Sequence, residues 1–397
     1  MTIKKIALVS CFLDEGDDII LTDSYMEKFV CNDDHFYHRT AKSLVMQGLE
    51  PVLFFPSTIK QTKTFQHKYG HDIVRIHAKK IPFFHEPIVY SPELVKKIQE
   101  FDICHFVSGY YIMYKVPDLF DYCTSKIYNK IPIVARWSGG NYDWLFPIRK
   151  SFKKKSLEKC HKIICSGKDE TKILETKFEI PKNKINFLIN PIDLKQFHER
   201  ERKEICDKLG YDPNADYLLY IGRLIKIKGI SDILEVYKNI IIKNKKIKLI
   251  IIGNGPLEPE IKKFIKNNNF EKSIFLKNYM PHDEICYYYN ISSVLMNTGL
   301  AAGLPNVVIE AIASKLPIIA IDVGATKDVV NENLGTGILL NNNDMMSMES
   351  AILKILNNKN KFSKFNDAIL EQFSFENFGN QLVEIYKDAD FNFKRQK

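Results

Sequence analysis

The chain has no Cys-x-x-Cys pair. Its eight cysteines stand at 11, 31, 104, 123, 160, 165, 206 and 286 without framework spacing, so a disulfide scaffold is excluded and a reducing compartment fits the free thiols. No apolar run approaches the roughly 18–20 residues that span a bilayer. Lys4-Lys5 before the apolar stretch from Ile6 to Leu13 imitates a secretion leader, but it runs into Asp14, Glu15, Asp17 and Asp18 with no small-residue cleavage site. It therefore reads as a first buried strand. Ten histidines are scattered; His35 with His38, and His67 with His71, have spacings that let each pair share a helix face, yet they read as surface side chains with no metal bound. Aromatic residues lie in apolar strands and are not interleaved with a basic stripe, which argues against a nucleic-acid partner.

What is there points elsewhere. A length of 397 residues suits two ordinary domains, and 45% hydrophobic with 26% charged residues is a globular composition. The formal charge of +9 favours acidic partners such as nucleotides, phosphorylated substrates or anionic membrane surfaces, although part of it is lysine in the Lys/Asn/Ile-rich stretches 241–249 and 262–269. Residues 146–163 carry seven Lys/Arg against the single Glu158, with Phe146, Ile148, Phe152 and Leu157 interleaved. Such a helix can lie on an anionic membrane surface or be an ordinary solvated face.

Apolar strand-like runs alternate with amphipathic segments. In the first half these are Ile6–Val9, a helix over 38–47, Val52–Phe55, a helix over 92–100, Ile103–Val107, Ile131–Ala135, then Ile163-Ile164 and Ile185–Ile189. Asn190-Pro191 breaks the pattern and marks a linker. The second half restarts it with Tyr217–Ile221, a helix from Ser231, Lys248–Ile252, 274–276, a helix over 281–290, Val294–Met296 and Pro317–Ile321. Repeated βαβ units predict an α/β fold with two doubly wound parallel sheets, whose ligands sit at the carboxyl ends of the strands. The expected division is 1–192, 193–372, and a terminal helix over 373–397.

One such strand end organises the second half. Gly303-Leu304-Pro305-Asn306 leads into a helix containing Val307, Val308 and Glu310. A glycine lets the backbone approach a ligand, Asn306 is expected to cap the helix, and the free N–H groups of residues 306–308 make a phosphate receptor. Glu310, placed in the first turn, suits the hydroxyls of a ribose or sugar. Two further loops follow strands in the same half: Gly222-Arg223 with Lys228, and Gly253-Asn254-Gly255-Pro256. A guanidinium, an ammonium and a helix N-terminus aimed at one crevice can neutralise a leaving diphosphate without a metal. Gly16 and Ser138-Gly139-Gly140 follow strands of the first half.

The motif order resembles the GT-B glycosyltransferases, specifically the large retaining family-4 group: Asn190-Pro191-Ile192-Asp193 with Phe197, Gly222-Arg223-Leu224 to Lys228-Gly229, Gly253-Asn254-Gly255-Pro256, Gly303 to Glu310, and Gly337-Ile338-Leu339-Leu340. The resemblance implies two Rossmann-like domains facing across a cleft. The donor, a nucleotide-diphosphate sugar (UDP or GDP, no metal and no other cofactor), binds the second domain, and the acceptor binds the first. It implies that Arg223 and Lys228 hold the diphosphate and act in catalysis, that Gly222, Gly253, Asn254, Gly255, Pro256, Gly303, Leu304, Pro305, Asn306 and Val307 form the donor site, and that Glu310 accepts from the ribose. The expected reaction is same-face transfer to a cell-surface glycan or lipid-linked precursor, as in polysaccharide or lipopolysaccharide synthesis. The expected location is cytoplasmic, with peripheral membrane contact through 146–163.

Two departures stand out. The family's E-x7-E pair ends at Glu310, but its first position is Ala302, which makes a catalytically impaired scaffold that keeps nucleotide binding the alternative. The first-domain loops Cys11–Gly16 and Trp137–Gly140 match the family poorly, so Gly16, Ser138, Gly139 and Gly140 are acceptor-side candidates only.

Overall fold

The computed structural model describes residues 3–11, 13, 20–32, 34–81, 88–107, 118–137, 146–300, 304–341, 344–363 and 368–396. Its chain divides into two compact units, Met1–Pro191 with Ser374–Lys397, and Ile192–Phe373.

The first unit contains the strands β1 (Lys5–Val9), β2 (Glu50–Ser57), β3 (Lys63–Gln66), β4 (Asp72–His77), β5 (Lys79–Ile81), β6 (Ile88–Tyr90), β7 (Ile103–Phe106), β8 (Ile133–Trp137), β9 (Lys162–Cys165) and β10 (Ile185–Phe187). Eight of them form one sheet in the order β10-β9-β8-β7-β1-β2-β4-β3, parallel except that β3 runs antiparallel to β4. A separate antiparallel pair joins β5 to β6. The principal helices are α1 (Phe36–Met46), α2 (Pro92–Ile98), α3 (Leu119–Ile127), α4 (Phe146–Glu158) and α5 (Lys168–Lys177).

Strand β1 explains why the sheet is covered on both sides. Successive side chains of a strand point to opposite faces, and Ile6 and Leu8 enter one core with Leu44, Leu53 and Phe55, whereas Ala7 and Val9 enter another with Phe54, Phe106 and Trp137. Both faces are thus apolar, as a central parallel strand requires.

The basic segment 146–163 is only partly a solvated face. Lys153 of α4 is fully buried and bonds Asp121 at 2.6 Å and Asp118 at 2.5 Å, while Lys162 sits in β9 against Asp388 at 2.9 Å. Lys150 and Lys154 lie at 4.0 and 2.5 Å from Glu179. Phe152 and Lys155 remain exposed.

The second unit carries β11 (Asp216–Ile221), β12 (Ile247–Ile252), β13 (Ile274–Lys277), β14 (Val294–Asn297), β15 (Ile318–Ile321) and β16 (Gly337–Leu340), with helices α6 (Arg202–Leu209), α7 (Ile230–Lys243), α8 (Glu258–Asn267), α9 (His282–Ile291), α10 (Asn306–Ala313) and α11 (Met345–Asn357). All six strands are parallel, in the order β13-β12-β11-β14-β15-β16. This is the doubly wound order in which the direction of strand addition reverses between β11 and β14, the place where such sheets open a ligand crevice.

The chain then returns to the first unit as α12 (Phe375–Gln396). Phe378, Leu382, Ile385, Tyr386 and Ala389 recur on one helical face and join the core that holds Leu44 of α1. Gly379 permits the contact, because a Cβ there would stand 2.7 Å from the Ser43 carbonyl oxygen. Among the described residues no helix is long and apolar enough to cross a membrane.

Candidate functional site

The crevice of the second unit is built by the loops after β11, β12 and β13 and by the start of α10. It encloses a cavity of about 560 Å³ lined by Gly222, Arg223, Gly253, Asn254 and Gly255, by Tyr279, Met280, His282 and Ile285, and by Asn306, Val307 and Glu310. Most of the donor-site residues singled out in the sequence therefore meet at one place. Lys228, Pro256, Leu304 and Pro305 do not line the cavity. Gly303 and Ala302, like the acceptor-side candidates Gly16, Ser138, Gly139 and Gly140, lie outside the described residues.

The two glycine loops support each other backbone to backbone. Gly222 N–H donates to Ile252 O at 3.0 Å, Leu224 N–H to Asn254 O at 2.9 Å, and Leu257 N–H to Leu224 O at 3.1 Å. There is no room for side chains at this seam: Gly253 has φ +148°, and a Cβ on it would lie 1.9 Å from the Gly222 carbonyl oxygen. The glycines thus set the floor of the cavity. Asn254 turns its Oδ1 to accept from Tyr279 N–H at 3.0 Å, which fixes the β13–α9 loop, and leaves the Tyr279 ring 70% exposed at the rim.

Arg223 is exposed and Lys228 half-buried. Burial, and then the neighbouring Arg223 guanidinium, push the Lys228 ammonium below its ordinary value. Like charges near one another each disfavour the other's charged form, so the lowering places Arg223 and Lys228 within electrostatic reach of each other. Gly299 gives Lys228 its path, since a Cβ there would stand 3.1 Å from Lys228 Cδ, and the Thr298 hydroxyl donates to Lys228 O at 3.2 Å.

The α10 end corrects three sequence expectations. Asn306 is the first helical residue, Pro305 occupies the cap position, and no side chain caps the helix, because the proline ring already fixes the entry dihedral. The Val308 N–H is not free, donating to Pro305 O at 3.0 Å. Glu310, fifth in α10, lies in the second turn, so it serves the site by pointing into the cavity wall and not by offsetting the dipole. The Glu310 carboxylate is 2% exposed. Tyr289 O–H donates to its Oε2 at 2.7 Å, and His282 Nε2 stands 3.4 Å from Oε1.

Sequence reasoning missed Tyr279, His282 and Tyr289. His282 opens a helix directly after Pro281, at the carboxyl end of a strand, which was the available signal. Tyr289 is indistinguishable by spacing from an ordinary core tyrosine. The histidines were also misplaced: His67 and His71 do not share a helix but bracket the turn between β3 and β4, and with His38 they are buried, at 2%, 2% and 0% exposure.

Residues 201–372 match the family described as Glycosyl transferases group 1. A poly(ribitol-phosphate) alpha-N-acetylglucosaminyltransferase of Staphylococcus aureus (strain COL) is 27% identical over 172 residues, 42% of this chain and 34% of that one. An alpha-monoglucosyldiacylglycerol synthase of Streptococcus pneumoniae (strain ATCC BAA-255 / R6) is 22% identical over 232 residues, 58% of this chain and 50% of that one. The chain thus spans a third to a half of the length of these two relatives. In fold, it is similar to Anabaena HepE in complex with UDP, with a TM-score of 0.69 at 11% identity over 96% of this chain and 98% of that one. The chain therefore carries a glycosyl transferases group 1 domain over residues 201–372 and has the fold of the GT-B glycosyltransferases, built from Rossmann-like parallel α/β units.

Proposed function

We propose that this protein is a retaining glycosyltransferase that moves a sugar from a nucleotide-diphosphate sugar to a hydroxyl of a cell-surface glycan or lipid-linked precursor. The observation that carries the proposal is the convergence of Arg223, the two glycine loops and Glu310 on one cavity of about 560 Å³, a volume within the range of small-molecule sites. In this reading the diphosphate lies over the glycine seam between Arg223 and Lys228. Charge grows on the diphosphate as the sugar departs, so two fixed cations bind the transition state more tightly than the ground state. The diphosphate is neutralised by side chains, so no metal is required there. Glu310, oriented by Tyr289, accepts from the ribose hydroxyls. The acceptor is assigned to the first unit.

Retention is supported by the family-4 resemblance, in which the leaving diphosphate helps to deprotonate the acceptor on the same face. It is also supported by the names of the two relatives, both of which denote transfer in the alpha sense. UDP is favoured as the nucleotide by its presence in the Anabaena complex, with GDP second. One relative is named for a polymer acceptor and the other for a lipid product, and the same two acceptor classes are proposed here. The exposed Phe152 and Lys155 of α4 are the contact proposed for an anionic membrane, at its cytoplasmic face.

Calorimetric titration with UDP, GDP, ADP and their sugar conjugates, without added metal, tests the donor site. Binding of one nucleotide followed by release or transfer of its sugar, with the product anomer read by NMR, supports the proposal. Binding without any turnover favours the impaired scaffold, and failure of every nucleotide to bind overturns the donor-site assignment.

A further inference from the structure

Three histidines outside the donor site lie together in the first unit. His38 is the third residue of α1, and His67 and His71 stand at the two ends of the β3–β4 turn. That turn is closed by His67 N–H donating to His71 O at 3.0 Å and Gly70 N–H to His67 O at 2.8 Å, with Gly70 at φ +83°. One ring nitrogen of each histidine lies within 4.8 Å of the other two. His38 Nδ1 and His71 Nε2 face each other at 3.0 Å. The His67 ring stacks on both, at centroid distances of 4.0 and 4.6 Å.

We propose that His38, His67 and His71 bind one divalent transition-metal ion of the zinc class. Polar groups buried this deeply are normally all satisfied, yet His71 Nδ1 has no hydrogen-bond partner among the described residues. Two imidazole nitrogens on one tetrahedral zinc, each about 2.0–2.1 Å from it, stand about 3.3 Å apart, so the 3.0 Å pair need open only slightly. No net proton has to leave that pair: the ring that donates moves its proton to its other nitrogen, and both facing lone pairs turn to the ion. The His67 ring lies at 13° and 21° to the other two and must turn out of these stacks for its in-plane lone pair to meet the ion, the Tyr69 N–H that donates to its Nδ1 at 3.1 Å being one contact this turn disturbs.

Three imidazoles with no carboxylate among them select Zn²⁺, Co²⁺, Ni²⁺ or Cu²⁺ over Mg²⁺ or Ca²⁺. The fourth position goes to water. His67 lines an open cavity of about 520 Å³ with Cys31, Asn32 and Gln66, which supplies an entry path. Two ligands from a strand turn and one from a helix pin the β3–β4 edge of the sheet to α1.

The test uses the full chain without a histidine tag. After dialysis against Zn²⁺ and then buffer, elemental analysis is expected to find one zinc per chain, and Co²⁺ is expected to give the intense visible bands of tetrahedral coordination. His67→Gln, at the turn, should weaken binding by more than about 100-fold, beyond the 10–100-fold of losing an outer-shell partner. His38→Gln provides a second variant if the first misfolds. Substoichiometric zinc, a weak octahedral Co²⁺ spectrum, or affinity unchanged in a folded His67→Gln protein each overturns the proposal.

Discussion

The Tyr289 hydroxyl donates to Glu310 Oε2 at 2.7 Å, and both side chains are almost fully buried. A carboxylate removed from water needs each donor it has, so Tyr289 acts as a positioning residue for Glu310. Tyr289→Phe is expected to weaken nucleotide binding by about 1 kcal/mol, the scale of one hydrogen bond, roughly fivefold in Kd. Calorimetry on the purified variant checks it; an unchanged Kd means that Glu310 does not meet the nucleotide.

Arg223→Ala and Lys228→Ala should each cost about 1.5–3 kcal/mol of nucleotide affinity, as charge-assisted contacts do. The two cations also sense one another. Burial is the main cause of the depressed Lys228 ammonium and Arg223 adds to it; removing Arg223 relieves that added repulsion, so in Arg223→Ala the alkaline fall in affinity should move to higher pH. A pH series of binding isotherms that shows no such movement contradicts their proximity.

Lys153 holds Asp118 and Asp121 inside the first unit. Deleting one partner of a buried ion pair costs about 3–5 kcal/mol, so Lys153→Met should lower stability by that amount in denaturant titrations. Lys155→Met, on the exposed side of the same helix, should leave stability within about 0.5 kcal/mol of the parent. Equal effects would mean that α4 does not turn Lys153 inward.

Acid should loosen the first unit as its buried histidines are forced to take up protons. Burial lowers His105 to about 3 and His161 to about 4 from an ordinary 6.5, and both take part in hydrogen bonds, His105 with Tyr386 O–H at 2.8 Å and His161 Nδ1 with the Ile133 N–H at 2.9 Å. A histidine held neutral by folding favours the native state fully above its unfolded value. That contribution declines as pH falls below 6.5 and is lost through the folded values. Melting temperature should therefore drop between pH 6.5 and 4, and His161→Gln should flatten the profile; a level profile in the parent chain would contradict this.

Much of the cavity was legible because its makers are conspicuous: glycines directly after apolar runs, at Gly222 and Gly253, leave few alternatives to strand ends. Glu310 lines the cavity, but spacing from Gly303 does not reveal that Pro305 takes the cap and shifts the carboxylate to the second turn. His67 and His71 were misread because a separation of four fits a helical face as well as a five-residue turn, and only Gly70, in the left-handed region, distinguishes them. Tyr289 and Lys153 were hidden for a shared reason. Whether a side chain faces a core, a carboxylate or water depends on what packs against its helix, and that comes from residues far away in sequence.

The return of α12 has a consequence for how the protein is made. Its apolar face completes the core beside α1, yet it is separated from Met1–Pro191 by the whole of Ile192–Phe373. The intervening segment is continuous and can fold as it leaves the ribosome. The first unit must wait, with Leu44 and the Tyr386 partner His105 uncovered, until α12 emerges. A messenger cut short after Phe373 would thus yield a finished second unit attached to an unclosed neighbour, a natural client for chaperones and proteases.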